Sequence, residues 1–519
     1  MKRFIVLGLA LSLVVAAPLR SYAASETPKR GGTITMAIGK DLTVMNPLTR
    51  TLSTDKLIRE LMYESLLDMD EKGNFVPKLA ESWDISKDGR VYTFHLRKGV
   101  KYHDGKEMTA ADAKFAIDYT LNPKNGAYGR QRIIIIERAE AVDKNTLRVY
   151  LKEPSASFLA VVTDIMAFSV IPQGSIPEGI EKLPTYPPGT GPLKFAEWVP
   201  SQRIVFERFD DYWGPKTYLD RVVLRPIPDD TVRFTALRAG DVDIVERTPY
   251  PWIRQILERK INGIGVAEAV YADYRALFFN VADPPFDNKK LREAVAYAIN
   301  KEELLKAAYF GFGKPSNQKY PQGHVWYIEG LASPAYNPAK AVQLLKEAGY
   351  KGETIDMKVE QGQVIEIMST AVQSQLKKIG MNIKIVTTEY GARRDQIRRG
   401  DTTIDLTGGD FYADPSTTYR QLLACEPNPK VRSANRTGYC NKERDAMFDR
   451  LETELDPKKR KEMLKQILIL ETQALAEIPI GFSPRFYTFR DRVKGFTTDD
   501  NGAFIWSGGG LTRTWVADR

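Results

Sequence analysis

The stretch "TIDMKVEQGQVIEIMSTAVQSQLKKIGMNIKIVTTE", Thr354 to Glu389, decides the fold class. Its first seven residues read as a strand. Val364, Met368, Ala371, Val372, Leu376 and Ile379 then line one helical face, and Gly380 ends the helix. "MNIKIVTTE" is a second strand. Two strands joined by a helix imply a parallel pair with a right-handed crossover. At least the C-terminal half is therefore α/β.

Working outward, Asn337-Pro338 opens the helix "PAKAVQLLKEAGY", with Gly349 just past its end. Asn300 with Glu303 caps "KEELLKAAYFG", and Asp287 or Asn288 opens "KKLREAVAYAI". Between Asp220 and Glu246 the chain reads strand, helix ("DDTVRFTALRAG"), strand ("DVDIVE"). "NTLRVYLKEP", "QRIVFERF" and "GGTITMAI" are strand-like. Thr109 with Asp112 forms a capping box for "AADAKFAIDYTL", which Asn122-Pro123 stops. "YTFHLRKGVKYHDG" reads as two short strands, with turns at Lys98-Gly99 and Asp104-Gly105. "KLIRELMYESLLDMD" reads as an amphipathic helix.

The chain has 519 residues, enough for roughly three domain-sized units. Apolar residues make up 43% and charged residues 27%, the balance of a soluble globular protein. Lys2 and Arg3, an apolar run from Phe4 to Ala17, and Ser21-Tyr22-Ala23 have the layout of a secretory signal peptide over residues 1–23. The run is shorter than the ~20 residues that span a bilayer. No cysteine lies near the cleavage site, so no lipid anchor is expected. Removing the segment deletes Lys2, Arg3 and Arg20 and takes the net charge from +9 to +6. The basic residues alternate with acids, as in "DPKKRKEM", so no nucleic-acid partner is expected. Cys425 and Cys440, 15 residues apart, either close a loop or remain two thiols.

The chain contains no H-E-x-x-H, C-x-x-C or G-x-S-x-G. "GFGKPS" at Gly311 has Pro315 where a phosphate loop needs Ser or Thr. "GTG" at Gly189 lacks the third glycine of a dinucleotide fingerprint. Three histidines in all argue against a histidine metal site, and no cofactor is expected. His103 and Asp104 are strand neighbours facing opposite ways, which makes them scaffold rather than base and partner. Among many neighbouring acids, Asp410 and Asp414, in "GGDFYADP", are by proximity the best candidates for the carboxylate pair of an exported glycoside hydrolase, the alternative reading.

Eight segments in order resemble one family. They begin with "LAESWDISKDGRVYTFHLRKGVKYHDGKEMTAADAKFAIDY" and continue through "GTGPLKFAEW", "FDDYWGPKTYLDRVVLRPIPDD" and "ALRAGDVDIVE". "FNVADPPFDNKKLREAVAYAIN", "YNPAKAVQLLKEAGY", "GYCNKERDAMFDRL" and "IPIGFSPRFYTFRDRVKGF" complete the set. Together they are similar to the family 5, oligopeptide/dipeptide-type solute-binding proteins of ABC transporters, from Gly31 to about Phe496. The resemblance implies an α/β fold of the type II periplasmic-binding-protein kind (cluster C), with two lobes around a cleft. It places the first lobe's core at 30–60, 190–275 and 486–519, an inserted subdomain at 61–189, and the second lobe at 276–485. The crossings fall near "YRALFFN" and "SPRFYTF". It also implies a Cys425–Cys440 disulfide, a monomer in the periplasm, membrane permease subunits as partners, and no catalysis.

The same resemblance nominates ligand contacts. Asp410 stands where peptide-binding relatives hold the ligand's amino terminus, although Thr407 and the spacing to Pro415 depart from the pattern and allow Phe411 that place. Gln361 stands where dipeptide binders carry an arginine. Tyr412 offers stacking, and Asn46 a contact from the first lobe. Arg393 and Arg394 are alternatives for an anionic ligand, or a solvated helix face beside Arg398 and Arg399. The expected ligand is a peptide or another small solute, such as an opine, a sugar or a metal chelate.

Overall fold

The structure, a computed structural model, describes residues 27–49, 53–176, 186–409, 414–416, 420–426, 435–499, 505–506 and 509–517. The proposed signal segment lies outside the described residues. Thr354–Glu360 lies between Asn382–Thr388 and Ile404–Gly409 and runs parallel to both, as the opening stretch predicts. The intervening helix, Gln363–Lys378, buries Met368, Val372 and Leu376 completely. A second parallel set has Thr33–Ile38 at its centre, flanked by Arg221–Pro226 and Ile244–Val245. Arg203–Arg208 and Leu193–Val199 extend that set antiparallel.

Two long strands join the sets. Ile264–Phe279 pairs antiparallel with Glu477–Arg490, and among the described residues the whole forms one eleven-stranded sheet. The pairing runs from Ile264↔Arg490 to Phe278↔Glu477 but breaks between Ala269 and Asp273. Pro484, which lacks a backbone N–H, lies opposite this break. The predicted crossing "YRALFFN" begins just past this irregular point, and "SPRFYTF" contains Pro484 opposite it.

Each parallel set has its own apolar core. One gathers Ile34, Met36, Phe206, Leu224 and Tyr487; the other gathers Leu277, Val295, Leu304, Met357 and Leu406. A separate four-stranded sheet, Ala80–Ile85, Val91–Leu96, Thr146–Leu151 and Ile136–Ala141, packs with the helix Ala110–Leu121 around Tyr92, Phe94 and Val149. The fold is therefore α/β with two lobes and an additional small sheet, the type II binding-protein architecture.

Capping chemistry sets many helix starts. Asn288, Asn300 and Asn337 each accept from the first turn of the helix that follows. Thr109 N donates to Asp112 Oδ2 at 2.8 Å, within the predicted capping box.

Two expectations differ. The helix expected over "KLIRELMYESLLDMD" is only Ser53–Arg59, and Leu67–Met69 is a strand paired with Phe75–Pro77. Leu61 to Leu67 are buried on every side, so no solvent face exists for a helix to present. Their carbonyls are used elsewhere: Met62 O accepts from Gly191 N at 2.8 Å and Leu61 O from Leu193 N at 3.2 Å. A Cβ on Gly189 would lie 2.0 Å from Met62 O, so this approach requires glycine. Tertiary pairing overrides local propensity here. The second short strand after Gly99 is reduced to one bridge, Lys101↔Glu107.

Candidate functional site

Strand direction locates the site. Ile264–Phe279 runs from the first parallel set to the second, and Ile404–Gly409 runs antiparallel to it, back toward the first. Ile244–Val245 runs antiparallel to Glu477–Arg490 and so points toward the second set. The C-terminal edges of the two parallel sets thus face each other across the break at 270–272. Ligands of open α/β sheets bind outside such carboxyl ends.

Two of the nominated residues, Gln361 and Asn46, follow strands that end on these edges. Gln361 follows Thr354–Glu360, is exposed, and donates its N–H to Thr388 O at 3.2 Å. Asn46 lies on the loop after Thr33–Ile38, which Arg59 holds through Val44 O and Thr49 O. Its Oδ1 accepts from Leu48 N at 2.9 Å, and its Nδ2 is buried with no partner. Asp410, Phe411 and Tyr412 lie outside the described residues. The strand leading to them ends at Gly409, which pairs with Tyr274 of the crossing strand.

Sequence reasoning missed a charged group at the floor of this gap. Asp273 and Arg275 stand on the first crossing strand, Arg485 on the second, and Arg247 just past Ile244–Val245. Arg485 Nη2 lies 3.9 Å from Asp273 Oδ1. Arg275 Nε donates to Tyr309 Oη at 3.0 Å, and its Nη1 to Tyr274 O at 3.3 Å. A Cβ on Gly408 would lie 2.1 Å from Arg275 Nη1, so the glycine of "TGGD" is what lets this guanidinium lie against the strand. Burial opposes ionisation of Asp273, but the charges of Arg275, Arg485 and Arg247 outweigh it and hold the carboxyl below its usual range. The available signal was a lone arginine inside the otherwise buried strand "GFSPRFYTF".

Other nominated groups are structural. Asp414 is 0% exposed; its two oxygens accept from Arg460 at 2.7 and 2.8 Å and from Ser416 N and Oγ. A carboxylate so enclosed cannot reach a sugar, which removes it from the glycoside-hydrolase pair. Arg393 is not a solvated helix residue: it is buried, bonds Asp405 through Nε at 3.1 Å and Nη2, and lies 3.5 Å from Glu360. Arg398 and Arg399 do lie at the surface. His103 donates its Nε2–H to Gly191 O at 3.0 Å, packs edge-on against Phe209, and burial pushes its pKa down to about 4. It is a neutral structural ring, and Asp104 serves the turn by accepting from Lys106 N. Cys425 and Cys440 are disulfide-bonded.

Away from the crossings, the small four-stranded sheet also touches the second parallel set's half. Glu452 Oε1 accepts from Ser155 Oγ and, at 2.8 Å, from Ser157 Oγ, while Glu452 O accepts from Ala156 N at 2.7 Å. At a second point Val325 N donates to Lys72 O at 2.8 Å.

Two facing strand edges joined by two crossing strands define an architecture of the two-lobed class. Residues 74–430 match the family model of bacterial extracellular solute-binding proteins, family 5. The chain is 32% identical over 459 residues to the dipeptide-binding protein of Escherichia coli (strain K12), covering 82% of this chain and 84% of that one. It is 30% identical over 462 residues to heme-binding protein A of Haemophilus influenzae, covering 82% of each. The ABC transporter substrate-binding protein CtaP of Listeria monocytogenes superposes with a TM-score of 0.84 at 25% identity, covering 94% of this chain and 100% of that one. The chain belongs to the family 5 solute-binding proteins. Its kin are binding components of ABC transporters, a family of solute carriers and not of glycoside hydrolases.

Proposed function

We propose that this chain captures one small solute in the gap between the two facing strand edges, closes on it, and presents the closed form to the permease subunits of an ABC importer. The lobes divide as 30–60, 190–275 and 486–519 against 276–485, with 61–189 as the inserted subdomain. Asn46 contributes from the first lobe; Gln361, Asp410, Phe411 and Tyr412 contribute from the second. The protein works as an exported monomer in the periplasm, freed of residues 1–23, and changes no bond in its cargo. A solute held by both lobes has contacts in the closed form that it lacks in the open one, so it shifts the balance toward closure.

One observation carries this reading: the carboxyl edges of two parallel sheets point at each other across a three-residue break in their shared strands. The solute itself ranges from peptide-like to an opine, a sugar or a metal chelate, given the unlike ligands named for the relatives. Native mass spectrometry of protein purified from cell extract is expected to show a retained small molecule at one per chain. Rebinding it to stripped protein should shrink the radius of gyration in small-angle scattering and raise the melting temperature, with the molecule recovered unchanged. Chemical conversion of the molecule, or profiles that stay open across a broad solute library, would refute the reading.

A further inference from the structure

Arg247, Arg275 and Arg485 face a gap that the nominated contacts leave without any cation. Asp273 and Arg275 are two residues apart on one strand, so their side chains leave the same face. Arg485 comes from the antiparallel partner, 3.9 Å from Asp273. Thr248 N donates to Phe486 O at 2.9 Å, which seats Arg247 beside the strand that carries Arg485. Three further observations concern how these groups are held. Arg485 is 9% exposed and its Nε has no hydrogen-bond partner. Arg247 holds φ at +58°, a left-handed conformation costly for an arginine and favoured where function demands it. Arg275 is fixed in place by Tyr309, Tyr274 and the bare backbone of Gly408.

We propose that Arg247, Arg275 and Arg485 form a receptor for a carboxylate on the captured solute. The proposal rests on the solute-capture reading above and adds the chemical class of the cargo. Charge balance argues for a single negative charge. Among the described residues, three guanidinium groups here meet two carboxylates, Asp273 and Glu246, and Glu246 already accepts from Gly39 N and Arg247 Nε, both at 3.3 Å. The remaining unit of positive charge suits one carboxylate better than a phosphate dianion. Arg485 is held by a hydrogen bond to Tyr487, and the planar fork of a guanidinium suits two-point recognition of that carboxylate. Arg247 is 43% exposed and Asp273 26%, so the group opens to the gap at that end.

The test is a thermal-shift and calorimetric screen of the full mature chain. The panel pairs small carboxylic acids, amino acids and short peptides with their amides, and adds phosphate monoesters, sugars and amines. Carboxylates are expected to bind and their amides not to. Arg247→Gln and Arg485→Gln should each weaken the bound acid about tenfold or more, and Arg247→Gln, at a 43% exposed site, should do so with little change in the melting temperature of the solute-free protein. Arg247 is half-exposed, so its variant keeps the test open if Arg485→Gln fails to fold. Binding confined to phosphate esters, sugars or amines, or equal binding of acid and amide, would overturn the carboxylate receptor and leave solute capture standing. An acid bound equally well by both variants would overturn it too. A panel with no binder at all would overturn the carboxylate receptor, and solute capture falls with it only if native mass spectrometry also finds no retained molecule.

Discussion

At the scale of single residues, charge state follows burial. His103 and His324 both sit in the fold with pKa values pushed down to about 4, by burial first. In the unfolded chain each takes up a proton near pH 6.5. Between those values the unfolded state binds more protons, so stability falls as pH drops from about 6.5 toward 4. The two rings together should cost of order a few kcal/mol across that window. Urea midpoints measured at pH 7 and pH 4.5 should differ less for a His103→Gln, His324→Gln double variant than for the parent chain. His103 was legible as scaffold because its neighbour Asp104 needed the turn. Arg393 was misread, because its position in "YGARRDQIRR" looks solvated and its partner, Asp405, comes from a different strand.

At the scale of elements, local chemistry carried most of the reading. Asn caps, the Thr109–Asp112 box and the strand–helix–strand unit at 354–388 all depend on near neighbours, and all stand in the structure. Leu61 to Leu67 failed because their partners lie at Gly189 to Leu193, more than a hundred residues on. The floor of the gap was illegible for the same reason: Asp273 and Arg485 are brought together only by the long antiparallel pairing. The Cys425–Cys440 bridge belongs to this scale as well, and closes a loop of 15 residues' separation. By loop entropy its loss should cost about 3 kcal/mol. A Cys425→Ser, Cys440→Ser variant should therefore unfold at lower denaturant, and reductant should lower the parent's midpoint but leave the variant's unchanged.

At the scale of the whole molecule, the two halves meet through crossings and through side contacts, and these differ in kind. The crossings are covalent and hydrogen-bonded. The contacts of Glu452 with Ser155, Ala156 and Ser157 are side-chain and loop bonds that can part when the gap opens. A hydrogen bond to a charged group contributes roughly 1.5–3 kcal/mol, partly recovered from water when it breaks. Glu452→Ala should thus favour the open form by of order 1 kcal/mol and weaken solute binding roughly fivefold. Scattering of the solute-free variant should report a larger radius of gyration than the parent; an unchanged radius and affinity would assign these contacts to static packing.

The break opposite Pro484 also limits what kind of motion is open to the molecule. Sliding one half past the other would stretch the covalent crossings at 270–272 and Pro484, while the ladder bonds on each side of the break, each worth about 0.5–1.5 kcal/mol net, belong to one half and move with it. Swivelling about residues 270–272 breaks none of them. On the capture reading the molecule is geared like a pair of tongs: its travel is an angle and not a distance, and the tips sweep furthest while the pivot, with its arginines, scarcely moves.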